Sequence, residues 1–370
     1  MAGELRFGVI GTGMMGMEHL RHLVRMPGVR VTACADPDAG SRAQAAALLP
    51  GVPVLADGAG LLARDDVDAV VIATPNFTHA RVLDDVFAAG KHVLVEKPLC
   101  TTLADARAVA DRAAVHPGVF WVGLEYRYSA PMQRLVAAVH GGEVGRLRTL
   151  SIREHRNPFL VKVGNWNRFS RNTGGTLVEK CCHFFDLMRL ITRSEPTHVY
   201  ASGAQDVNHL DERYDGEVPD ILDNAFVTVD FADGSRAMLD LCMFAEAGMN
   251  HEDIVAIGDT GKAQCLLPQG LVAIGERATK AVRRERVPMD PALLELGGHY
   301  GATWGELERF CAAIRNGTAA EVTAQDGLLS VAMGVAAHRS IDERRVVAMA
   351  EVLNDGTTAA PGARAGHEPR

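Results

Sequence analysis

A chain of 370 residues is too long for one ordinary domain and suits two, and its 47% hydrophobic against 23% charged residues provide for a packed core. The formal net charge of -8 comes from acidic and basic residues scattered along the chain, which argues against a nucleic-acid or anionic-membrane surface. The start MAGELRFGVIG lacks the basic and long apolar regions of a secretory signal, no apolar run is long enough to span a membrane, and seven cysteines without a C-x-x-C pair read as reduced thiols, so a cytoplasmic protein is expected.

In chain order, LRFGVIG reads as an apolar strand, Met14 to Met26 as a helix stopped by Pro27-Gly28, and VRVTACAD as a strand before an Ala-rich helix from Ser41 to Leu49. VDAVVIATP is a buried strand, THARVLDDVFAAG a helix ended by Gly90, KHVLVEKPL a strand, LADARAVADRAAV a helix and VFWVGLEYRY a strand. This alternation, with strands apolar on both faces, predicts a parallel sheet covered by helices on both sides. Beyond Tyr128 the rhythm changes. A helix from Pro131 to His140 leads to the strand RLRTLSIREHR, then to DNAFVTVDFADGSRAMLDLCMF and EDIVAIGDTGKAQCLL, with the Asp-Gly of FADGS as a hairpin signal. Closing helices are expected at TWGELERFCAAIRNG and from Ala324 to Arg339. The expected fold is an α/β domain over 1–126, an α+β domain with a mostly antiparallel sheet over 127–354, and a mobile tail over 355–370.

GVIGTGMMG places Gly11, Gly13 and Gly16 as G-x-G-x-x-G between a strand and a helix, and the second strand ends in Asp36, twenty residues after Gly16. Glycines alone mark any tight turn; this context makes them the Rossmann dinucleotide signature. Gly11 permits the turn, Gly13 lets the backbone approach a pyrophosphate, and Gly16 lets helix and strand pack, while the helix N-terminus supplies oriented N–H groups. Asp36 accepts from ribose hydroxyls and repels a 2′-phosphate, which favours NAD over NADP. Arg42 nearby follows the helix-initiating Ser41 and could as easily face solvent. The residues placed to line the cofactor are Gly11, Thr12, Gly13, Met14, Met15 and Gly16, then Asp36, then Ala73, Thr74, Pro75 and Asn76 with His79, and Glu96 with Lys97. Thr78 doubles as a helix N-cap in the plainer reading of that loop.

VLVEKPLC ends a parallel strand with a carboxylate and an amine at the same edge, where a lysine could stabilise an alkoxide-like charge or simply sit at the surface. GVIGTGMMG, CADPD, VIATPNFTH, AGKHVLVEKPL, GLEYRYSAP, GEVGRL and GGTLVEKCCHFFDLMR stand in the order and spacing of the Gfo/Idh/MocA family of glucose–fructose oxidoreductase and inositol dehydrogenase. The chain resembles that family well over the first ~190 residues and more loosely to the closing helices. The resemblance implies a Rossmann domain followed by an α/β domain with an open, predominantly antiparallel sheet, a substrate cleft between them, and a homo-oligomer, dimer or tetramer. It implies that Lys97 is a catalytic-site residue whose bond to Pro98 is often cis, and that Gly174-Gly175 lead to Glu179, His183 and Asp186. His183 then matches the family's general acid/base, and Glu179 stands where the family has aspartate.

TLVEKCCHFFDLMRLI, Thr176 to Ile191, is apolar at most positions, interrupted by Glu179, Lys180, His183 and Asp186. On one helix, residues 179, 183 and 186 share a face, Lys180 lies within reach of His183, and Leu177, Val178, Cys181, Cys182, Phe184 and Phe185 pack against the sheet. The stripe reads as an acid/base site, as a structural network in which Asp186 pairs with Arg189, or as a metal site. No second His or Cys cluster accompanies Glu-x-x-x-His, so no metal is expected. For substrate contacts, Tyr126 and Arg127 end the last Rossmann strand. Arg153 and His155 share one face of the next strand and Glu154 and Arg156 the other, with one set expected to face the cleft. Asn165 and Trp166 lie in a loop suited to a sugar face. The expected activity is NAD-dependent oxidation of a secondary hydroxyl of a sugar, glycoside (including the glucosyl 3-hydroxyl) or cyclic polyol, with His183 as acid/base, Lys97 as oxyanion stabiliser and Glu179 beside them. Alternatives are an inositol 2-dehydrogenase, an NAD-retaining glycosidase and a non-catalytic sugar or NAD sensor.

Overall fold

The computed structural model describes residues 3–355, so the tail expected over 355–370 lies outside the described residues apart from Asp355. Six parallel strands, β1 (Leu5–Ile10), β2 (Val29–Ala35), β3 (Val54–Leu55), β4 (Ala69–Ile72), β5 (His92–Glu96) and β6 (Phe120–Gly123), form a sheet of order β3-β2-β1-β4-β5-β6. Helices α1 (Met14–Leu23), α2 (Ala39–Leu48), α3 (Gly58–Leu62), α4 (His79–Ala89) and α5 (Leu103–Ala113) lie between them. Because helices cover both faces, β4 and most of β1 and β5 are buried at successive residues, which is why they read as unbroken apolar runs. The strand order reverses between β1 and β4, and such a switch point opens a crevice at the C-terminal edge of the sheet.

The second sheet has nine strands: β7 (Leu147–His155), β8 (Pro196–Ala204), β9 (Asn224–Phe231), β10 (Arg236–Cys242), β11 (Glu252–Gly258), β12 (Gly261–Leu267), β13 (Leu271–Glu276), β14 (Val282–Arg286) and β15 (Val347–Ala348). Their order is β14-β13-β12-β11-β7-β10-β9-β8-β15, with β7 and β10 parallel and the other neighbours antiparallel. The FADGS hairpin joins β9 to β10, closed by the Ser235 carbonyl accepting from the Phe231 N–H. Helices α6 (Ala130–His140), α7 (Ser170–Thr173), α8 (Thr176–Glu179), α9 (Cys182–Thr192), α10 (Pro291–Leu294), α11 (Ala302–Asn316), α12 (Ala324–Glu343) and α13 (Met349–Asn354) are the remaining α-helices among the described residues. Alternation along β7 turns Leu150, Ile152 and Glu154 inward under α9. The opposite face leaves Tyr200, Phe226, Met238 and Ile257 exposed.

Two helices tie the halves together. In α11, Leu307, Phe310 and Cys311 join the first core, where Phe310 meets both Phe7 and Trp121 at 6.0 Å. Leu328 and Val331 of α12 belong to that same core, whereas Met333, Ala336 and Ala337 belong to the second. The segment expected as a separate domain over 127–354 therefore contributes to both cores. The expected strand through Tyr128 is shorter: after β6 the chain turns into a 3-10 helix, Glu125–Tyr128, which carries Tyr126 and Arg127 away from the sheet.

Candidate active site

At the cofactor edge each fingerprint glycine has a separate cause. Gly11 has φ +90 and a Cβ there would lie 2.6 Å from the Ala73 carbonyl carbon, while a Cβ on Gly16 would lie 1.9 Å from the Gly11 oxygen. Gly13, the N-cap of α1, meets nothing within 4 Å, so its backbone is open to a ligand at a helix N-terminus that no side chain caps. Thr12 N–H donates to Asp36 Oδ2 at 2.6 Å, which holds the carboxylate beside the turn. Arg42 does not face solvent freely: its Nη1 donates to the Asp36 carbonyl at 2.9 Å and the Pro37 carbonyl at 2.7 Å. This open glycine cradle and its fixed acid fit a dinucleotide with free ribose hydroxyls.

Met14 is exposed and Met15 half-buried at the start of α1, and the Ala73 N–H bonds the Ile10 carbonyl. His79 is a strut rather than a wall of the crevice, because its ring nitrogens meet the Pro98 carbonyl at 2.9 Å and the Thr74 carbonyl at 3.1 Å. Thr78 makes no N-cap bond to α4; its hydroxyl donates back to the Pro75 carbonyl and is hydrogen-bonded with the Thr74 hydroxyl. Asn76 is buried, with no hydrogen-bond partner for Nδ2 among the described residues.

At the end of β5, Glu96 Oε1 turns inward to His19 Nε2 at 2.6 Å, and the Lys97–Pro98 bond is cis, as the resemblance implies. Lys97 Nζ donates to the Glu179 carbonyl at 3.1 Å, joining the Rossmann edge to the second half. Helix α12 presses on both segments: a Cβ on Gly327 would lie 3.0 Å from Leu99 Cβ, and one on Gly334 would lie 2.7 Å from the Leu177 carbonyl. Its missing side chains let one helix hold the EKP turn and the run to His183 at close quarters. Burial works against the charge on Lys97, but Cys182, Glu179, Glu125 and Glu96 around it outweigh that and hold its pKa above the usual lysine value.

The run Thr176 to Ile191 is not one helix. α8 ends at Glu179, Lys180 and Cys181 form the joint, and α9 starts at Cys182. Asp186 consequently leaves the expected stripe and pairs with Arg127, which also reaches Asp326, while Arg189 pairs with Glu195 and Asp326. Lys180 turns from His183 to Tyr126 Oη at 2.8 Å and Glu154 at 2.9 Å. Of the residues expected to pack against the sheet, Leu177, Cys181, Phe184 and Phe185 join the core of the second half, whereas Val178 and Cys182 join the core of the Rossmann half.

His183 lies flat on the Tyr126 ring, with centroids 4.1 Å apart and planes 9° from parallel. Burial, then Lys97 and Lys180, push its pKa well below the usual value, so it is neutral and proton-accepting at pH 7. Burial raises the Glu179 carboxyl while Lys162 and Lys97 oppose the rise, and Glu179 Oε2 has no hydrogen-bond partner among the described residues. An amine at the end of β5 is thus joined to the backbone of a glutamate that has an orphaned carboxyl oxygen, four residues before a neutral imidazole.

Sequence reasoning missed the groups behind His183. Glu125 is buried, and neither oxygen has a hydrogen-bond partner among the described residues; Oε1 stands 3.7 Å from His183 Nε2 and 3.7 Å from His299 Nε2. His299 Nδ1 meets Glu18 Oε1 at 2.8 Å, and Thr303 Oγ1 donates to that oxygen at 2.9 Å. A glutamate just past a buried strand was the available signal for Glu125; His299 sits where no periodicity marks it. Burial pushes the Glu125 carboxyl up to about 7. Between the ordinary carboxyl range and about pH 7 the folded chain then holds a proton the unfolded chain has lost, so this group's stabilising contribution falls as pH rises through that window. Glu125→Gln abolishes the fall. Its melting temperature relative to wild type should rise from pH 5 to pH 8, by roughly 1–3 kcal/mol of stability in paired thermal melts.

The remaining substrate candidates separate. Arg153 and His155 do not face the site: they lie on the outer face of the nine-stranded sheet, near Asp253 at 3.5 Å and Asp240 at 3.2 Å, beside a cavity of about 370 Å³ under Phe244–Asn250. The inward set is Glu154 and Arg156, 3.6 Å apart. Arg127 is likewise taken up by Asp186 and the Glu321 carbonyl. Trp166 packs edge-on to Phe77 at 6.3 Å with Lys162 Nζ 5.0 Å above its ring, and the adjoining Asn165 has a left-handed φ of 52°. Among the described residues no cluster of His, Cys, Asp and Glu could hold a metal, and no helix is long and apolar enough to cross a membrane.

Comparison with known proteins agrees with this layout. Residues 5–124 match the Gfo/Idh/MocA family model described as an oxidoreductase family, NAD-binding Rossmann fold, and residues 136–349 match its C-terminal alpha/beta domain. An uncharacterized oxidoreductase, YrbE, of Bacillus subtilis (strain 168) is 28% identical over 345 residues, 92% of this chain and 95% of that one. An inositol 2-dehydrogenase of Rhizobium meliloti (strain 1021) is 28% identical over 349 residues, 94% of this chain and 99% of that one. A solved oxidoreductase domain protein from Kribbella flavida shares the fold, with a TM-score of 0.83 at 24% identity over 94% of this chain and 100% of that one.

Proposed function

We propose, from the premise that this chain belongs to the Gfo/Idh/MocA oxidoreductase family and carries its NAD-binding Rossmann domain, that it oxidises a secondary ring hydroxyl of a cyclic polyol, sugar or glycoside. The observation that carries the reading is that Lys97, from the end of β5, donates to the Glu179 carbonyl at 3.1 Å, four residues before His183, with Glu179 Oε2 left without a hydrogen-bond partner among the described residues. Bound NAD+ supplies the hydride acceptor. His183 takes the hydroxyl proton, and Lys97 stabilises the oxyanion that develops as the proton leaves. Tyr126, fixed by Lys180, holds the imidazole plane, and Glu179 takes a hydrogen bond from a hydroxyl adjacent to the reacting carbon. Arg156 and Trp166 supply the rest of the substrate wall.

The name of the Rhizobium meliloti relative makes inositol the first compound to test. Polyols, free sugars and glycosides should be screened with NAD+ and NADP+ by NADH absorbance. Turnover with NAD+ on ring alcohols is expected; release of an aglycone without net NADH, or no turnover across the panel, would overturn the reading. The exposed Tyr200, Phe226, Met238 and Ile257 on the outer sheet face support a homo-oligomer, which sedimentation would test.

A further inference from the structure

His183 has a disposal problem. It is 2% exposed, with Lys97 and Lys180 adding to its reluctance to stay charged, so a proton taken from an alcohol must move on before the next turnover. Of the buried carboxylates in this region, one stands within reach of its ring nitrogen. Glu96 is committed to His19, whereas Glu125 Oε1 lies midway between two imidazoles, 3.7 Å from Nε2 of each. The second imidazole, His299, is 24% exposed and so reaches water. It is held in place by Glu18, against which the chain at Gly297 presses so closely that a Cβ there would lie 2.1 Å from the carboxyl carbon.

We propose that Glu125 and His299 form a proton exit from the buried site, passing the proton that His183 takes from the alcohol to water. The balance is one proton in and one out. The alcohol O–H breaks as the proton joins His183 Nε2, and the same proton leaves that nitrogen for Glu125 Oε1, so the imidazole returns to its starting neutral form with Nδ1 unchanged. His299 releases its own Nε2 proton to water and takes the one on Glu125. Distances of 3.7 Å exceed a hydrogen bond, and such contacts commonly tighten when substrate fills a site. The groups facing Glu125 favour this traffic: His299 and Lys97 lower its pKa, burial and Glu96 raise it, and Cys182 and Glu306 lie close by. Glu18 holds the His299 imidazolium and is itself drawn down to about 2, so it stays a fixed anion rather than a carrier.

The inference rests on His183 as acid/base, and the test separates the two. The kcat for the best substrate should be followed from about pH 5 to 9 in wild type, Glu125→Gln, Glu125→Ala, His299→Asn and His183→Ala. Glu125→Gln, which cannot take up a proton, should lose roughly 10-fold or more in kcat with KM within about twofold, and its rising pH limb should shift. Glu125→Ala should regain turnover with added formate, and His299→Asn should make kcat depend on buffer concentration. A Glu125→Gln enzyme with wild-type kcat and pH profile beside an inactive His183→Ala overturns the relay alone. An active His183→Ala overturns the acid/base reading instead. If Glu125→Gln does not fold, His299→Asn decides: a wild-type pH profile without buffer dependence overturns the relay. Cofactor-free melts of Glu125→Gln give a readout independent of turnover, and a difference from wild type that does not change with pH overturns the proposal.

Discussion

Replacing His183 by alanine is expected to lower kcat about 10²–10⁴-fold while NAD(H) binding stays within a few-fold of wild type. The magnitude is that of a positioned base, and the selectivity follows from location. His183, in α9, sits on Tyr126, whereas the residues proposed to cradle a dinucleotide lie in the turn Gly11–Gly16 and at Asp36. Removing the imidazole leaves the fingerprint and the Lys97 bond to the Glu179 carbonyl untouched. Fluorescence titration of NADH beside steady-state kinetics checks both halves. An equal loss of cofactor affinity would mean that the ring is a structural spacer between Tyr126 and Glu125. His183→Asn keeps a polar group on the Tyr126 face and should be as slow as alanine, because shape without a titratable nitrogen does not move a proton.

The Rossmann half was legible because its physics is local. Strands buried on both faces read as apolar runs, and glycines forced by contacts at Ala73 and Gly11 announce themselves by spacing. The second half was legible where a turn residue carries its own conformation, as in the hairpin at Gly234, φ +85. It was less so where tertiary contacts decide. The alternation in SIREHR yields two faces but does not say which one α9 covers, so the outward Arg153 and His155 stood level with the inward Glu154 and Arg156. β14 was not anticipated, since VRRER is mostly exposed and takes its register from β13. The run through Lys180 and Cys181 contains no Gly or Pro, and nothing in it signals that the helix stops. Lys180 is drawn to Glu154 and Tyr126, in other elements, and the helix gives way there. The same blindness hid the proposed proton exit, because Glu125, His299 and the Glu18 that holds His299 come from three separated segments.

That joint is also where the largest stability effect should lie. Lys180→Met is expected to cost about 3 kcal/mol, the low end of what removing one partner of a buried ion pair costs, because Arg156 remains 3.6 Å from Glu154. Methionine fills the volume above the Tyr126 and Phe184 rings, which Lys180 now covers at 4.9 and 5.3 Å, so the loss reports charge rather than a cavity. Glu252 faces Glu154 across β7 and β11, and burial, then Glu154, push it up to about 8 against the pull of Lys180. Without the amine its folded pKa climbs further. The folded variant then keeps a bound proton to higher pH than wild type does, and its stability goes on falling with pH where the wild-type curve has levelled. The deficit should therefore grow as pH rises through about 8 in paired denaturant titrations. The double change Lys180→Met with Glu154→Gln removes both charges and should recover most of the loss. If stability returns but kcat does not, the remaining defect is the lost hydrogen bond to Tyr126, whose ring then no longer holds His183 to one plane.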